Sequence, residues 1–226
     1  MSQISIIIPV YNQANEIISC LTSIQQQTFK DFEVIVVDDG STDNLALVLA
    51  PYQTKIKLIK QINQGAPAAR NAGFALSQGK YLLFCDADVV LQPTMLEKMF
   101  KILESQPELA YVYSAYKFGW KMYRGWPYSV EKLKKINVAH TTSLIRRLAF
   151  PGWDEKIKRL QDWDLWLTIM ERGGQGYWLP EVLFSVKTGG TMSSWLPSFL
   201  YRFSWLPPVK RFRAAVEVIK QKHHLV

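Results

Sequence analysis

The sequence predicts an α/β fold in which a Rossmann-like, mostly parallel central sheet is flanked by helices. Two observations predict it: apolar runs rich in β-branched residues recur along the chain, and helix-compatible stretches separate them. The chain has 226 residues, of which 48% are hydrophobic and 20% are charged, which is typical of a protein with a full core. We therefore expect one domain with an elaboration.

The predicted elements alternate from the N-terminus onward. The strands are 4–10, 32–38, 55–60, 80–86 and 110–118, and the helices are 14–27, 43–51, 66–78 and 93–105. Pro93 suits the first turn of the fourth helix, because backbone N–H groups there have no acceptor within the helix and proline lacks an N–H. Because helices separate the first four strands, these strands should lie parallel, and residues 1–118 should form a doubly wound unit.

Polar side chains follow three of these strands at the point where each strand ends. They are Tyr11 and Asn12 after the first strand, Asp38 and Asp39 after the second, and Asp86 and Asp88 after the fourth. In open sheets of this kind, ligands bind outside the carboxyl ends of the strands. The sequence therefore predicts a binding site at this edge.

The paired aspartates indicate what the site could hold. The loop "YNQAN" contains no glycine, and neither glycine-rich phosphate motif occurs in the chain. Asp86 and Asp88 follow a buried run, where close like charges require a positive partner. A bridging Mn²⁺ or Mg²⁺ would supply that charge and bind a nucleotide diphosphate. The alternative is that both aspartates cap a turn before Pro93.

Basic charge is concentrated in the C-terminal segment 195–226. Of the net charge of +8, five come from residue 202 onward, where six Lys and Arg side chains face only Glu217. No nucleic-acid-binding motif is present, and we expect no nucleic-acid partner. The segment mixes aromatic and basic residues around prolines. It should either lie on an anionic membrane surface or dock on its own domain or on a partner subunit, as in a homodimer.

Composition also indicates a compartment. The N-terminus lacks a signal-peptide pattern, and no apolar run is long enough to span a bilayer. Cys20 and Cys85 do not make a disulfide framework. We expect a cytoplasmic protein, which would lie on the inner face of the membrane if the C-terminal segment contacts lipid.

Three blocks of the sequence resemble glycosyltransferase family 2. They are "SIIIPVYNQANEIISCLTSIQQQTFKDFEVIVVDDGSTD", "NQGAPAARNAGFALSQGKYLLFCDAD" and "FPGWDEKIKRLQDWDLWL". The resemblance implies a GT-A fold over 1–194, with a nucleotide-sugar-binding half (1–118) and a smaller acceptor and catalytic-base half (119–194). We expect the segment 195–226 to follow this domain as a helical tail. The resemblance also implies sugar transfer from a nucleotide donor with inversion, in cell wall or polysaccharide biosynthesis.

The resemblance assigns donor-binding roles to Pro9, Tyr11, Asn12, Asp39, Arg70, Asp86 and Ala87, and a metal-binding role to Asp88 with Asp86. Pro9 and Tyr11 would line the nucleobase pocket, and Asp39 would accept a hydrogen bond from the base, which we expect to be uracil. Arg70 would contact the phosphates or Asp86. The alternatives are that Tyr11 only covers the sheet end and that Arg70 is a surface side chain. We expect Asp38 to be structural.

The resemblance places the catalytic base at Asp162, although Gln161 replaces the Glu that usually precedes it. Helical periodicity sets Asp162 on the apolar side of its helix and Asp164 opposite, facing solvent or a structural contact. Asp162 could instead be a helix N-cap. Relatives often carry a His after this helix, whereas this chain has "SVKTGGTMSS" with Lys187.

Residues 110–129 contain eight aromatic and three basic side chains. They could stack on an acceptor sugar and attract an anionic group, or fill a second small core. We expect His140 to be structural.

Together with these patterns, the resemblance implies a metal-dependent inverting enzyme that moves a single sugar from a UDP-sugar to a saccharide or lipid-linked acceptor. The absent Gln-x-x-Arg-Trp element of processive synthases favours single transfers. One alternative is a haloacid-dehalogenase-like phosphatase that uses Asp86 and Asp88, because "LLFCDADVVL" also resembles that family's strand. The other is a catalytically degenerate nucleotide-sugar-binding module.

Overall fold

A computed structural model describes residues 2–187, 202–203 and 205–225 of the chain. The strands are β1 (Ile4–Val10), β2 (Phe32–Asp38), β3 (Lys57–Lys60), β4 (Tyr81–Phe84), β5 (Val89–Leu91), β6 (Leu109–Phe118), β7 (Lys121–Tyr123), β8 (Leu144–Arg146) and β9 (Gln175–Val186). The helices are α1 (Ala14–Gln25), α2 (Leu45–Leu49), α3 (Ala66–Leu76), α4 (Met95–Ser105), α5 (Val130–Lys135), α6 (Gln161–Glu171) and α7 (Pro207–Lys222). They confirm the α/β fold and the C-terminal helix.

The nine strands in the described residues form one sheet in the order β3-β2-β1-β4-β8-β6-β9-β5, with β7 paired to β6. The first four are parallel, as predicted. The rest are mixed, because β8 runs antiparallel to β4 and β6, and β5 runs antiparallel to β9. The strand predicted at 80–86 ends at Phe84, so Asp86 and Asp88 lie in the turn between β4 and β5.

Helices cover both faces of the sheet. Along β1, Ile6 and Ile8 pack on the side of α1 and α4, whereas Ile7 packs on the side of α3 and α6. A strand buried on both faces needs a continuous apolar run, which "ISIIIPV" supplies. The predicted helix 43–51 is shorter, because Pro51 lacks the N–H that an α-helix needs, and a 3-10 turn follows Leu49.

Glycine sets the distance between α3 and β1. A Cβ atom at Gly73 would lie 2.5 Å from Cγ2 of Ile7 and 3.1 Å from Cγ2 of Val37, which is too close for a larger residue. The helix therefore packs directly against the strands at this point. This close packing places Arg70, one turn earlier on α3, near the end of β4.

The C-terminal helix docks on its own domain. His223, directly after α7, bonds through Nε2 to Asp164 Oδ1 and through Nδ1 to Glu171 Oε1, each at 2.8 Å. Lys222 Nζ lies 2.7 Å from Asp164 Oδ1 and 2.8 Å from Asp154 Oδ2. Asp164 is therefore buried in a structural contact, one of its two predicted settings. Residues 195–201, 204 and 226 of the predicted tail lie outside the described residues.

None of the described helices combines the length and the apolar character needed to cross a bilayer.

His223 makes the anchoring of α7 dependent on pH. Burial by itself lowers the pKa of His223, but the bonds to Asp164 and Glu171 outweigh it and the net pKa is raised. A raised folded-state pKa adds stability that is complete below the unfolded value of about 6.5 and is lost as the pH rises through the folded value. We expect His223→Gln to lower the free energy of unfolding by about 1–3 kcal/mol at pH 5.5 and by less at pH 9. Urea unfolding at both pH values measures this, and an equal cost at both would contradict it.

Candidate active site

A cleft of about 640 Å³ opens at the carboxyl edge of the parallel strands. Its lining includes Pro9, Tyr11, Asp39, Arg70, Asp86, Asp88, His140 and Asp162. The fold thus brings together most of the residues that the sequence placed at this edge. Asn12 and Ala87 are not in the lining: Asn12 Oδ1 accepts a bond from Thr42 N, and the side chain of Ala87 is buried in the core.

Asp39 organises the loop that leads into α3. Its Oδ1 accepts hydrogen bonds from Gln61 Nε2 (2.8 Å) and Gln64 N (2.9 Å), and its Oδ2 accepts one from Gly65 N (2.8 Å). A carboxylate can accept about four such bonds, so one acceptor position remains for a ligand. The role of Asp39 in base binding stays a prediction. Asp38 accepts from Ser41 N within its turn, as expected of a structural residue.

Arg70 joins the turn that carries Asp86 to the start of α6. Its guanidinium donates to Asp86 Oδ1 at 2.7 Å and to Gln161 Oε1 at 2.8 Å, and it lies 4.7 Å from the ring centre of Trp153. Arg70 is 4% exposed, which excludes the surface alternative. Burial alone would raise the pKa of Asp86, but Arg70 and His140 outweigh it, so the net pKa is lowered. Asp86 is therefore held as a carboxylate.

Asp88 has the opposite electrostatic setting. Burial raises the pKa of Asp88 to about 7, with a smaller contribution from the negative charge of Asp86. Among the described residues no basic side chain forms an ion pair with Asp88, because Arg70 bonds to Asp86 instead. A carboxylate in this environment gains most from an added cation.

The two aspartates fit a divalent ion that also binds the substrate. The described part of the chain has no group of three or more His, Cys, Asp or Glu side chains that could hold a metal by themselves. Mg²⁺ is commonly bound by one or two carboxylates together with substrate phosphates and water, and Mn²⁺ favours the same oxygen ligands. Asp88 and the free oxygen of Asp86 supply that kind of partial ligand set.

A second cleft of about 560 Å³ adjoins the first on the side of β7. Its lining includes Tyr116, Lys121, Tyr123, Arg124, Trp126, Asn137, His140 and Asp162. The aromatic segment 110–129 is thus divided between two settings. Tyr111 and Tyr113 fill the core, whereas Trp126 is 46% exposed beside the cleft. Stacking of Tyr116 on Tyr123, with ring centres 4.9 Å apart, fixes one wall.

Asp162 stands where the two clefts meet, in the first turn of α6. Its Oδ2 accepts from Asn137 Nδ2 at 2.7 Å and its Oδ1 accepts from Trp163 N at 3.0 Å. The N-cap position is occupied by Leu160 in a left-handed conformation, so Asp162 is not the cap. Burial raises the pKa of Asp162, and His140 and Asn137 oppose this only in part. A raised pKa makes a carboxylate a stronger base.

Buried tryptophans fix the orientation of α6. Trp163 Nε1 donates to Leu133 O at 2.7 Å, and Trp166 Nε1 donates to Ala139 O at 2.9 Å. With these rings anchored, Asp162 lines both clefts and Asp164 bonds to Lys222 and His223. The two aspartates therefore point to different surroundings.

Sequence reasoning missed two residues of this site. His140 was expected to be structural, yet it lines both clefts. Gln161 was identified only as a departure from the family pattern, yet it binds Arg70. Residues 137–143 form neither a helix nor a strand, so no periodicity indicated where His140 points. No local pattern pairs Arg70 with a residue 91 positions away.

Comparison with known proteins agrees with this geometry. The model of the family "Glycosyl transferase family 2" matches residues 5–165. The chain belongs to glycosyltransferase family 2. This membership favours a glycosyltransferase domain over the phosphatase alternative for Asp86 and Asp88.

Curated relatives include the uncharacterized glycosyltransferase YibD of Escherichia coli, which is 38% identical over 113 residues. That match covers 48% of this chain and 33% of YibD. Chondroitin synthase of Escherichia coli is 32% identical over 183 residues, which cover 75% of this chain and 27% of the synthase. The chain spans about a third of the length of the first curated relatives that it matches.

Solved structures share the fold. Staphylococcus aureus TarS 1–349 in complex with UDP-GlcNAc superposes with a TM-score of 0.70 at 22% identity, over 88% of this chain and 64% of that one. The mannosyltransferase PcManGT of Pyrobaculum calidifontis, in complex with GDP-Man and Mn²⁺, gives 0.68 at 18% identity over 99% of this chain and 70% of that one. These neighbours confirm the predicted GT-A fold.

Asp88→Ala tests the metal assignment. Removal of this carboxylate takes away a hard-oxygen ligand and leaves Asp86 bonded to Arg70. The ratio of UDP affinity with Mn²⁺ to UDP affinity without Mn²⁺ should therefore fall by more than about tenfold. Isothermal titration of UDP with and without Mn²⁺ measures this. Affinity in the absence of metal is the internal control and should change little. An unchanged Mn²⁺ effect would remove Asp88 from the metal site.

Proposed function

We propose that this chain is the catalytic domain of a metal-dependent, inverting glycosyltransferase that moves a single sugar from a UDP-sugar to a saccharide or lipid-linked acceptor. The position of Asp162 carries the proposal, because this carboxylate lines both clefts where they meet. One cleft holds the aspartate pair and the other holds exposed aromatic and basic side chains. A donor in the first and an acceptor in the second would meet at Asp162.

The nucleotide would lie at the end of β1. Tyr11 is 40% exposed at the rim, where its ring can stack on a base for about 1–3 kcal/mol. The acceptor position left on Asp39 suits an N–H of uracil. TarS, whose structures contain UDP and UDP-GlcNAc, supports the choice of a uridine nucleotide. The GDP-Man complex of the mannosyltransferase makes guanine the competing base.

The reaction follows from the placement of the carboxylates. An acceptor hydroxyl in the second cleft attacks the anomeric carbon as its proton passes to Asp162, and the bond from that carbon to the diphosphate breaks. Attack from the side opposite the leaving group inverts the configuration. A divalent ion at Asp86 and Asp88, either Mn²⁺ or Mg²⁺, would neutralise charge that develops on the diphosphate. Arg70 keeps Asp86 ionised for that role.

The acceptor cleft suits a saccharide. Tyr123 and Trp126 present aromatic faces, and Lys121 and Arg124 bring positive charge to the same cleft. Aromatic faces pack on the apolar sides of sugar rings, and the basic residues favour a phosphate or carboxylate on the acceptor. The relatives named chondroitin synthase and hyaluronan synthase support a role in polysaccharide biosynthesis.

The exposed side of α7 remains available to an anionic membrane. Lys210 and Arg211 are exposed on the helix, and Trp205 is exposed just before it. Basic side chains near an anionic surface contribute about 1 kcal/mol each, and an indole ring suits the interface. Peripheral contact of this kind would place the enzyme on the surface that carries a lipid-linked substrate.

Asp162→Asn tests the catalytic base. The amide keeps the shape and the contact with Asn137 but cannot take a proton at neutral pH, so turnover should fall by at least about 100-fold. The assay is hydrolysis of UDP-glucose, UDP-galactose and UDP-N-acetylglucosamine with Mn²⁺ or Mg²⁺, together with titration of UDP. Nucleotide affinity should be retained. UDP binding by the wild type without cleavage of any donor would instead favour the degenerate binding module.

The matched control is Asp164→Asn, two residues along the same helix. This change should weaken the contact with Lys222 and His223 and lower the thermal midpoint, while turnover per folded molecule stays near that of the wild type. If Asp164→Asn abolishes turnover and Asp162→Asn does not, the base has been assigned to the wrong aspartate.

Reversal of charge on α7 tests the membrane contact. Lys210→Glu combined with Arg211→Glu should reduce flotation with vesicles of phosphatidylglycerol and phosphatidylethanolamine by at least about tenfold. Lys134→Glu combined with Lys135→Glu makes the same change of charge on α5 and should leave flotation unchanged. Equal flotation of both double variants would rule out α7 as the contact.

A further inference from the structure

His140 occupies a position that its predicted structural role does not explain. The ring is half-buried at the junction of the two clefts and lines both of them, as Asp162 does. The ring packs against the stacked pair Tyr116 and Phe184, whose ring centres lie 4.9 Å and 5.1 Å from its own. The imidazole is thus packed in place where donor and acceptor would meet.

The hydrogen bonds of the loop decide which ring nitrogen is available. The backbone N–H of Thr142 donates to Nδ1 of His140 at 3.0 Å, so in the neutral ring the proton resides on Nε2. Ser143 Oγ donates to the carbonyl of His140 at 2.6 Å and fixes the same turn. Within the described residues no acceptor is bonded to Nε2. That N–H therefore remains free to donate to a molecule in the clefts.

Burial of the ring favours the neutral form, although the proposed role does not need it. Burial lowers the pKa of His140 more than the charges of Asp86 and Asp162 raise it. Nε2 carries a hydrogen in both protonation states, so it is a donor in either. The group that it binds must be a hydrogen-bond acceptor.

We propose that Nε2–H of His140 donates a hydrogen bond to an oxygen of the transferred sugar and holds its anomeric carbon in line with Asp162. This inference rests on the proposed function. The sugar must lie where the clefts meet, since its anomeric carbon receives the acceptor oxygen there. Unlike Asp86 and Asp88, His140 would recognise the sugar and not the nucleotide, and so a loss of His140 should leave UDP binding intact.

Two variants separate this role from a structural one. His140→Asn keeps a polar group near the Nδ1 position, where it can accept from Thr142 N, but removes the Nε2 donor. His140→Gln places an amide N–H near the Nε2 position and loses the Nδ1 acceptor. A role of Nε2 therefore predicts that Gln is the better substitute, whereas a purely structural role predicts that Asn is better.

The measurements are hydrolysis of the UDP-sugar that the wild type cleaves fastest with Mn²⁺, titration of UDP and of that UDP-sugar, and the thermal midpoint. We expect His140→Asn to lower kcat/KM at least about tenfold and to weaken UDP-sugar binding relative to UDP, with UDP affinity and thermal midpoint retained. His140→Gln should recover most of the lost kcat/KM.

Three results would overturn the inference while the proposed function stands. They are wild-type kcat/KM in His140→Asn, loss of UDP affinity in parallel with turnover, and a Gln variant no more active than the Asn variant. A wild-type protein that neither binds UDP nor cleaves any UDP-sugar would overturn the proposed function, and this inference with it.

Discussion

The contact of one buried guanidinium with two partners determines the geometry of the site. Arg70 bonds Asp86 at the end of β4 and Gln161 at the start of α6, above the ring of Trp153. A buried cation needs a charged partner, and a carboxylate at a strand end needs a cation, so each stabilises the other. Because the second bond goes to a neutral amide, Asp86 is the only charged group bonded to Arg70 within the described part of the chain. The turn that carries Asp86 and the helix that carries Asp162 are thereby fixed relative to each other.

From this contact the carboxylates of the site acquire different properties. Arg70 forms its ion pair with Asp86 and not with Asp88. Burial and the negative charge of Asp86 therefore raise the pKa of Asp88 to about 7. Asp162 lies farther along, where burial raises its pKa and an amide, not a cation, contacts it. When their environments give acidic groups different pKa values in this way, one group can bind a cation while another accepts a proton. The proposed division of roles thus follows from where a single arginine lies.

The sequence predicted the parts of the molecule that have local patterns. Alternation of strands and helices predicted β1 to β4 and their parallel direction, and the positions of Asp39 and Asp86 after their strands placed them at one edge. Helical periodicity separated Asp162 from Asp164. The strand predicted at 110–118 corresponds to β6, but the other strands of the mixed half of the sheet were missed, and short ones such as β8 carry too few residues for a pattern. The setting of His140 depends on Tyr116 and Phe184, which are distant in the chain, and only the folded structure brings them together.

The docking of α7 bears on how small a self-sufficient unit of this fold can be. The family match ends at residue 165, within α6, but the fold does not end there. A fragment cut at that point would lose β9, the strand that β5 and β6 share, and would expose their edges to pairing with other chains. A fragment that stops before α7 would instead keep Asp164 and lose Lys222 and His223, which leaves a buried negative charge without its cations. The family match thus ends before β9 and α7, whereas the folded domain includes both. The additional polypeptide is the part that holds α6 in place.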